Sequence, residues 1–352
     1  MSYNFTNKLI SISKWKPPND WVKITTIDVH TEGEPLRVII NGFPDLKGET
    51  ILARRRYAKE NIDYLRRMLI WEPRGHADMY GVIITPPVTP QADFGVIFLH
   101  NEGYSTGCGH AIIGVTKVVL ETGMFPIQAP ETKIQIDTPG GLVTAYARIE
   151  NNSVKSVYFH NVPSFVLIFD KTVDIPRLGK INYDLAFGGA FYAFVQVEEI
   201  GLEIIPENNR RFIEKGMAIK RALMKSQSIE HPFEKDLSFL YGTIFIGSPM
   251  TKGADSRNVC IFAEGEVDRC PTGTGVSARM AIHYARGEIG IGEPMIIESI
   301  LGTRFTGRVV KPIEYGSYDA VIPEVEGSAY IISKNEFYID PTDPLRTGFI
   351  LR

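Results

Sequence analysis

The chain has 352 residues, with 38 Lys and Arg against 41 Asp and Glu and a formal net charge of −3. It is 44% hydrophobic and 22% charged, which is ordinary for a globular protein, and its length suggests about two domains. There is no basic surface for nucleic acid, no apolar run near the roughly 18 residues of a membrane span, and no signal-peptide core in the N-terminal segment. Three cysteines without CxxC spacing argue against a disulfide framework or a zinc cage. We expect a cytoplasmic protein that binds neither nucleic acid nor membrane.

The first half of the chain predicts short strands and helices around a Gly-rich loop. Segments rich in β-branched residues and bounded by turn residues are typical of strands, whereas apolar residues three or four apart are typical of helices. In chain order the segments are TIDVHTEGEPLRVII (strands, centred on Gly33), LARRRYAKENIDYLRRML (helical spacing), MYGVIITPP and VIFLH (strands), NEGYSTGCGHAIIG (loop and apolar helix) and KIQIDTPGGLVTAYARI (strands).

The second half of the chain repeats this order of elements. Gly188 stands 155 positions after Gly33, and Thr272 stands 164 positions after Cys108. Offsets that drift slowly while the order stays constant indicate two homologous units with small loop insertions. The matching segments are LAFGGAFYAFVQV, NNRRFIEKGMAIKRALM, LYGTIFIGSP, VCIFA, EGEVDRCPTGTGVSA, PMIIESILGTRFTGRVV and AVIPEVEGSAYIIS.

This duplication predicts an α/β (α+β) fold of two domains, each a curved, mostly antiparallel sheet around a central helix. We expect the first domain to comprise residues 20–150 with 334–352 and to carry Cys108. The second domain, residues 151–333, carries Thr272. Two such domains facing each other form a pocket at their interface, so the active site is expected in the cleft between them.

Both Gly-rich loops open an apolar helix and therefore place a helix N-terminus at the site. Free backbone N–H groups and the positive end of the helix dipole bind carboxylates, and glycine lets the ligand approach the backbone closely. The same field is expected to lower the pKa of Cys108 and make it a general base. The backbone donors predicted for a carboxylate are Gly109, His110, Gly273, Thr274 and Gly275.

Other polar residues in these motifs have simpler interpretations. Cys260 sits in an apolar strand and is expected in the core, and Cys270 beside Pro271 is expected to be an inert loop residue. The EPRGHADMYG segment contains a single histidine, His76, so structural hydrogen bonding is favoured over a metal site. We expect no metal.

Taken together, the segments DVHTEGEP, EPRGHADMYG, NEGYSTGCGH and DRCPTGTGVSA resemble the proline racemase family, which shares the fold of diaminopimelate epimerase. Members are cofactor-free and place one thiol on each face of the substrate α-carbon. The first thiol matches Cys108, but the second position is Thr272 here. The resemblance implies that both Gly loops bind the substrate carboxylate and that residues matching His110 and Asp268 hold the imino nitrogen.

A Cys/Thr pair is similar to that of the trans-3-hydroxy-L-proline dehydratases within this family. In the trans-3-hydroxy isomer the hydroxyl lies on the same ring face as the α-hydrogen. One residue, Cys108, could then take the α-proton and help the hydroxyl leave as water, so a second thiol is unnecessary. Thr272 would shape the pocket. The resemblance implies a small imino acid as substrate, no cofactor, and allows for a homodimer.

Three alternatives remain open from the residues alone. The first is a hydroxyproline epimerase or proline racemase in which Cys270 acts as the second acid, although general acid–base work needs hydrogen-bond reach. The second is a cysteine hydrolase, which would need His110 and an acidic residue arranged around Cys108. The third is a non-catalytic carboxylate-binding module.

Overall fold

The computed structural model describes residues 2–351 of the chain. Its helices are α1 (Ser2–Ile12), α2 (Ile51–Asn61), α3 (Asp63–Ile70), α4 (Gly109–Glu121), α5 (Asn209–Ser226) and α6 (Gly273–Ala285). Its strands are β1 (Val22–Thr31), β2 (Glu34–Asn41), β3 (Tyr80–Thr85), β4 (Phe94–His100), β5 (Glu131–Thr138), β6 (Gly141–Glu150), β7 (Ser153–His160), β8 (Ser164–Ile175), β9 (Gly179–Phe187), β10 (Phe191–Gln196), β11 (Leu240–Gly247), β12 (Ser256–Phe262), β13 (Glu266–Val267), β14 (Met295–Glu298), β15 (Arg304–Tyr315), β16 (Tyr318–Gly327) and β17 (Ala329–Ile339).

The strands form two closed rings. The first ring runs from β17 through β1, β2, β3, β4, β5 and β6 to β7, and β7 pairs with the end of β16. Because β16 leads directly into β17, this pairing closes the ring. The second ring runs from β8 through β9, β10, β11, β12, β14 and β15 to β16, which pairs back with β8.

The two rings have the same pairing pattern. Each contains two parallel pairs, β2 with β3 and β4 with β5 in the first ring, and β10 with β11 and β12 with β14 in the second. Their other principal pairs are antiparallel. The duplicated α/β fold predicted from the sequence is confirmed. The division of the chain at residues 151 and 334 stays a prediction.

One apolar helix fills each ring. Helix α4 packs against β1, β2, β6 and β7, and α6 packs against β8, β9, β15 and β16. Both helices have 13 residues, and nearly every side chain is buried, as expected for a helix surrounded by a sheet. Gly123 and Gly287 follow the two helices and adopt φ values of 77° and 70°, in the left-handed region common just beyond a helix C-terminus.

The charged helical segment of the first half is two helices rather than one. Helix α2 ends at Asn61, the next residue Ile62 has a non-helical φ of −136°, and α3 begins at Asp63. At the break, the side chain of Ile62 packs into a small apolar cluster with Leu65 and Leu69 beneath the two helices. Burial of Ile62 therefore explains why the segment forms two helices instead of one.

The helices of residues 2–351 include none that is both long and apolar enough to cross a membrane.

Candidate active site

The N-termini of the two central helices touch each other. A Cβ atom added to Gly109 would lie 2.6 Å from the Cα of Gly273, and one added to Gly273 would lie 2.7 Å from the Cα of Gly109. Side-chain carbons do not approach other atoms so closely, so only glycine fits at either position. This contact brings Cys108 and Thr272, the residues before the two glycines, to one site between the rings.

A small cavity lies at this junction. Its volume is about 20 Å³, which is room for about one water molecule. An imino acid therefore fits only when the lining groups move apart. The lining includes all but one of the residues that the sequence assigns to the site: Cys108, Gly109, His110, Asp268, Thr272, Gly273 and Thr274.

Gly275 is the predicted residue outside the cavity lining. A Cβ at Gly275 would lie 2.3 Å from the Cδ1 of Ile244 in β11. Close packing of α6 on β11 therefore requires a glycine at this position, whether or not its backbone contacts a ligand. A backbone contact from Gly275 to a ligand stays a prediction.

Cys108 precedes α4 in an extended conformation, with φ −155° and ψ 99°. Burial raises the pKa of its thiol well above the ordinary value, while the backbone N–H of Ala111 and the hydroxyl of Tyr80 act in the opposite direction. The expectation that the helix N-terminus gives this thiol a low pKa is therefore wrong. Removal of the sulfur from water outweighs the favourable field, and the resting group is a thiol.

His110 lies beside the thiol. Its Nδ1 lies 3.2 Å from the Cys108 Sγ, and burial lowers its pKa to about 4, against the effect of a hydrogen bond with the backbone of Pro35. The imidazole is therefore neutral near pH 7 and keeps one ring nitrogen as a hydrogen-bond acceptor. Because the pKa of the thiol is raised and that of the imidazole is lowered, both groups are uncharged in the resting site.

The second loop is organised by a carboxylate. The Thr272 hydroxyl donates to Asp268 Oδ2 at 2.8 Å, and the backbone N–H of Cys270 donates to Oδ1 at 2.9 Å. Thr272 has φ 67°, a conformation that costs energy for a β-branched residue and marks sites under functional constraint. Its hydroxyl is therefore fixed on Asp268 and is not poised to exchange protons with a ligand.

Cys270 packs behind this loop. It is fully buried, and its sulfur accepts the backbone N–H of Thr272 at 3.3 Å. It is not among the residues that line the cavity, whereas Cys260 is. Cys260 is thus both a buried strand residue, as the sequence predicts, and part of the cavity wall, which the sequence did not reveal.

Three residues could supply ligand atoms to a metal. One such atom each from His110, Asp268 and Cys270 lie within 4.8 Å of one another. Both carboxylate oxygens of Asp268 also accept hydrogen bonds from the loop. That the site takes no metal stays a prediction.

The family model described as "Proline racemase" matches residues 26–350 of the chain. The chain belongs to the proline racemase family.

Relatives and a solved structure agree with this assignment. A protein of Colwellia psychrerythraea named trans-3-hydroxy-L-proline dehydratase is 46% identical over 100% of both chains. A human protein of the same name is 42% identical over 96% of this chain and 97% of its own. The crystal structure of a hydroxyproline epimerase from Agrobacterium vitis with bound trans-4-hydroxy-L-proline superposes with a TM-score of 0.88 and 34% identity, over 94% of this chain and 96% of that one.

Tyrosines complete the site of this family member, and the sequence reasoning missed them. Tyr80, Tyr192 and Tyr241 line the cavity from β3, β10 and β11. Tyr80 and Tyr241 occupy equivalent places in the repeats, in MYG and LYG, 161 positions apart, and their hydroxyl oxygens lie 3.5 Å apart. The repeat alignment contained this signal.

The EPRGHADMYG segment has the structural role expected for it. His76 Nδ1 bonds the Ala77 carbonyl oxygen at 2.7 Å, and Asp78 pairs with Arg269 at 3.1 Å. The backbone N–H of Arg269 donates to the fully buried Glu34 at 2.7 Å. The two contacts of Arg269 tie the first ring to the loop that carries Asp268.

Proposed function

We propose that this member of the proline racemase family is a trans-3-hydroxy-L-proline dehydratase. The observation that carries the proposal is the difference between the two facing helix ends, which present the thiol of Cys108 on one side and the fixed hydroxyl of Thr272 on the other. Relatives that bear this name match the chain over nearly its whole length. The reaction is the loss of water from the imino acid.

The substrate carboxylate binds where the two helices meet. The first backbone N–H groups of α4 and α6, from Gly109, His110, Gly273 and Thr274, lie at the positive ends of two helix dipoles. Such positions bind anions. The same donors stabilise the negative charge that develops on the carboxylate when the α-proton leaves, which is where a catalyst gains most.

The imino nitrogen binds between His110 and Asp268. The two residues lie on opposite sides of the junction and both line the cavity. A carboxylate stabilises a charged ring nitrogen, and a neutral imidazole can accept one of its hydrogens. Together with the carboxylate site, these contacts orient the α-hydrogen toward one helix end.

Cys108 removes the α-proton as a thiolate, the form of the residue that acts as a base. In the trans-3-hydroxy isomer the hydroxyl leaves from the same ring face, so the elimination is syn. The first product is the enamine Δ2-pyrroline-2-carboxylate, which tautomerises without help to Δ1-pyrroline-2-carboxylate. Because the Thr272 hydroxyl donates its hydrogen bond to Asp268, it does not return a proton to the α-carbon from the opposite face.

Three further expectations accompany this proposal. The reaction as written needs no cofactor, since every proton and electron pair stays within the substrate and the named side chains. We also infer a cytoplasmic enzyme, and the homodimer allowed for by the family resemblance stays a prediction.

The proposal is tested by offering trans-3-hydroxy-L-proline, trans-4-hydroxy-L-proline and L-proline side by side. Pyrroline carboxylate and optical rotation are followed in each reaction. We expect pyrroline carboxylate from the 3-hydroxy isomer and no inversion of the other two compounds. Formation of D-proline or of the 4-hydroxy epimer would instead identify a racemase or epimerase.

A further inference from the structure

The hydroxyl groups of Tyr80 and Tyr241 meet at the cavity wall. Their oxygens lie 3.5 Å apart, and the Tyr80 hydroxyl also bonds the Oγ of Ser105. Tyr80 is 2% exposed and Tyr241 is 7% exposed. This is a buried hydroxyl cluster that borders the space for the substrate, and the reaction described above gives it no role.

Tyr80 belongs to the Cys108 side of the cavity. Both residues line the cavity, and the Tyr80 hydroxyl lowers the pKa of the Cys108 thiol. Its ring lies edge-on to the ring of His110, with the centroids 4.8 Å apart. Burial raises the pKa of Tyr80 well above the ordinary value, so the group is a protonated phenol that can donate.

Water loss requires a donor on this side. Hydroxide is a poor leaving group, and a proton delivered as the C3–O bond breaks turns it into water. The leaving hydroxyl of the trans isomer is on the face of the α-hydrogen, hence on the side of Cys108 and Tyr80. The hydroxyl groups near the N-terminus of α6 are engaged with each other or with Asp268. The Tyr192 hydroxyl bonds the Thr274 Oγ1 at 2.7 Å, and the Thr272 hydroxyl donates to Asp268.

We propose that the Tyr80 hydroxyl carries the proton taken by Cys108 to the departing 3-hydroxyl group. This proposal rests on the proposed dehydratase function and adds a catalytic residue to it. The α-C–H bond breaks and an S–H bond forms on Cys108. As the C2=C3 double bond forms and the C3–O bond breaks, Tyr80 gives its hydrogen to the leaving oxygen and takes the hydrogen of the Cys108 thiol.

The step balances without another reactant. The substrate loses one hydrogen and one hydroxyl as water, Tyr80 ends as a phenol, and Cys108 ends as the same thiolate that took the α-proton. No tyrosinate accumulates, which matters because an unpaired charge in a buried cavity is costly. Ser105 and Tyr241 hold the Tyr80 hydroxyl in place during the transfer.

The test separates proton abstraction from water loss in Tyr80→Phe. The reaction is run in D2O, pyrroline carboxylate is measured, and the remaining substrate is analysed for deuterium at the α-carbon. We expect water loss to fall by roughly 10²–10⁴-fold, the usual contribution of a general acid. Deuterium exchange should fall less than about tenfold, so the ratio of exchange to water loss rises at least about tenfold.

Tyr183→Phe is the matched control. Tyr183 is a buried tyrosine of β9 whose hydroxyl has no hydrogen-bond partner among the described residues. The same loss of one oxygen there should leave both rates unchanged. Thermal unfolding of both variants monitors the fold.

A second measurement uses trans-3-fluoro-L-proline, in which the leaving group needs little protonation. Tyr80→Phe should release fluoride within about tenfold of the unsubstituted enzyme, because only the acid has been removed. The proposal for Tyr80 is overturned if Tyr80→Phe loses water at the unchanged rate. It is also overturned if the folded variant loses deuterium exchange, water elimination and fluoride release to the same extent.

Failure of the dehydratase proposal gives a different result. In that case the unsubstituted enzyme itself forms no pyrroline carboxylate.

Discussion

The two Gly-rich loops occupy equivalent places in the two rings but differ in what they can do with a proton. In the first loop Cys108 is extended and its sulfur faces His110 at 3.2 Å. In the second loop Thr272 has φ 67°, and its hydroxyl donates a hydrogen bond to Asp268. The features that bind an anion, a glycine and a helix N-terminus, are present in both. Both loops have therefore kept the groups that bind an anion, whereas only the first loop carries a residue that exchanges a proton with the substrate.

The largest effect is expected from Cys108→Ser. A serine hydroxyl is a far weaker acid than a thiol, so the base is lost and water loss should fall at least about 10³-fold, at the upper part of the range for acid–base groups. Cys270→Ser is the control, because serine oxygen can also accept the Thr272 N–H, and it should retain activity within about tenfold. Pyrroline carboxylate formation measures both. Substantial turnover by Cys108→Ser would remove the asymmetry between the loops.

Thr272→Cys should restore the missing thiol and make the loops alike. The new sulfur can donate a proton to the face opposite Cys108, so we expect inversion at the α-carbon in addition to water loss. The readout is D-proline formed from L-proline, detected by chiral chromatography. Thr272→Ser, which keeps the hydroxyl, should form none. If Thr272→Cys forms no D-proline although it still binds and exchanges L-proline, geometry rather than the missing thiol blocks inversion.

Gly109→Ala tests the contact that joins the loops. Its Cβ would lie 2.6 Å from the Gly273 Cα and 3.0 Å from the Phe159 ring, so the helix ends must separate. Overpacking of this kind costs about 1–3 kcal/mol, and activity should fall about 10²-fold because the binding groups move. At Gly290 the nearest atom would be a Glu293 carboxylate oxygen at 3.4 Å. Gly290→Ala should therefore change neither unfolding nor turnover, which a parallel denaturation series checks.

Acid sensitivity that arises from a histidine should be found in the first loop and not in the second, because Thr274 stands at the position that matches His110. Burial lowers the pKa of His110 to about 4, so below its unfolded value of 6.5 the unfolded chain binds more protons. The stability from this group is full above pH 6.5 and is lost as pH falls toward 4. Its loss amounts to about 3 kcal/mol.

His231 provides the comparison for that prediction. It is a buried histidine outside the site, and burial lowers its pKa to about 4 as well. Urea unfolding between pH 7 and pH 4 should show a shallower decline in both His110→Gln and His231→Gln than in the unsubstituted protein. An unchanged decline in His110→Gln would show that this ring is not neutral in the folded state.

The sequence predicts much of the site because its glycines report backbone constraints directly. Glycines after Cys108 and Thr272, and again at Gly123 and Gly287, mark the ends of both central helices. Repeat alignment then places the two loops opposite each other. Side chains on strands are harder to assign, since alternation does not say which buried face borders a cavity. For this reason Tyr80 and Cys260 were not recognised as cavity residues.

The pKa of Cys108 could not be predicted from its position on a helix. The dipole argument gives the sign of one contribution, whereas burial depends on how completely two distant segments enclose the sulfur. In this site burial has the larger effect, and the pKa of Cys108 is raised. Likewise, the break at Ile62 follows from a tertiary contact that local spacing does not encode.

The chain passes between the rings only twice within residues 2–351, after β7 and after β16. At this place Val157–His160 pairs with Glu324–Gly327, and the Asn161 N–H donates to the Pro323 carbonyl oxygen at 2.9 Å. The two crossings thus lie side by side in one two-stranded strip, whereas the other contacts between the rings, at the helix ends and around Arg269, are made by loops and side chains. A rotation of the two rings about that strip would widen the cavity of about 20 Å³ for an imino acid and leave the sheet within each ring unchanged.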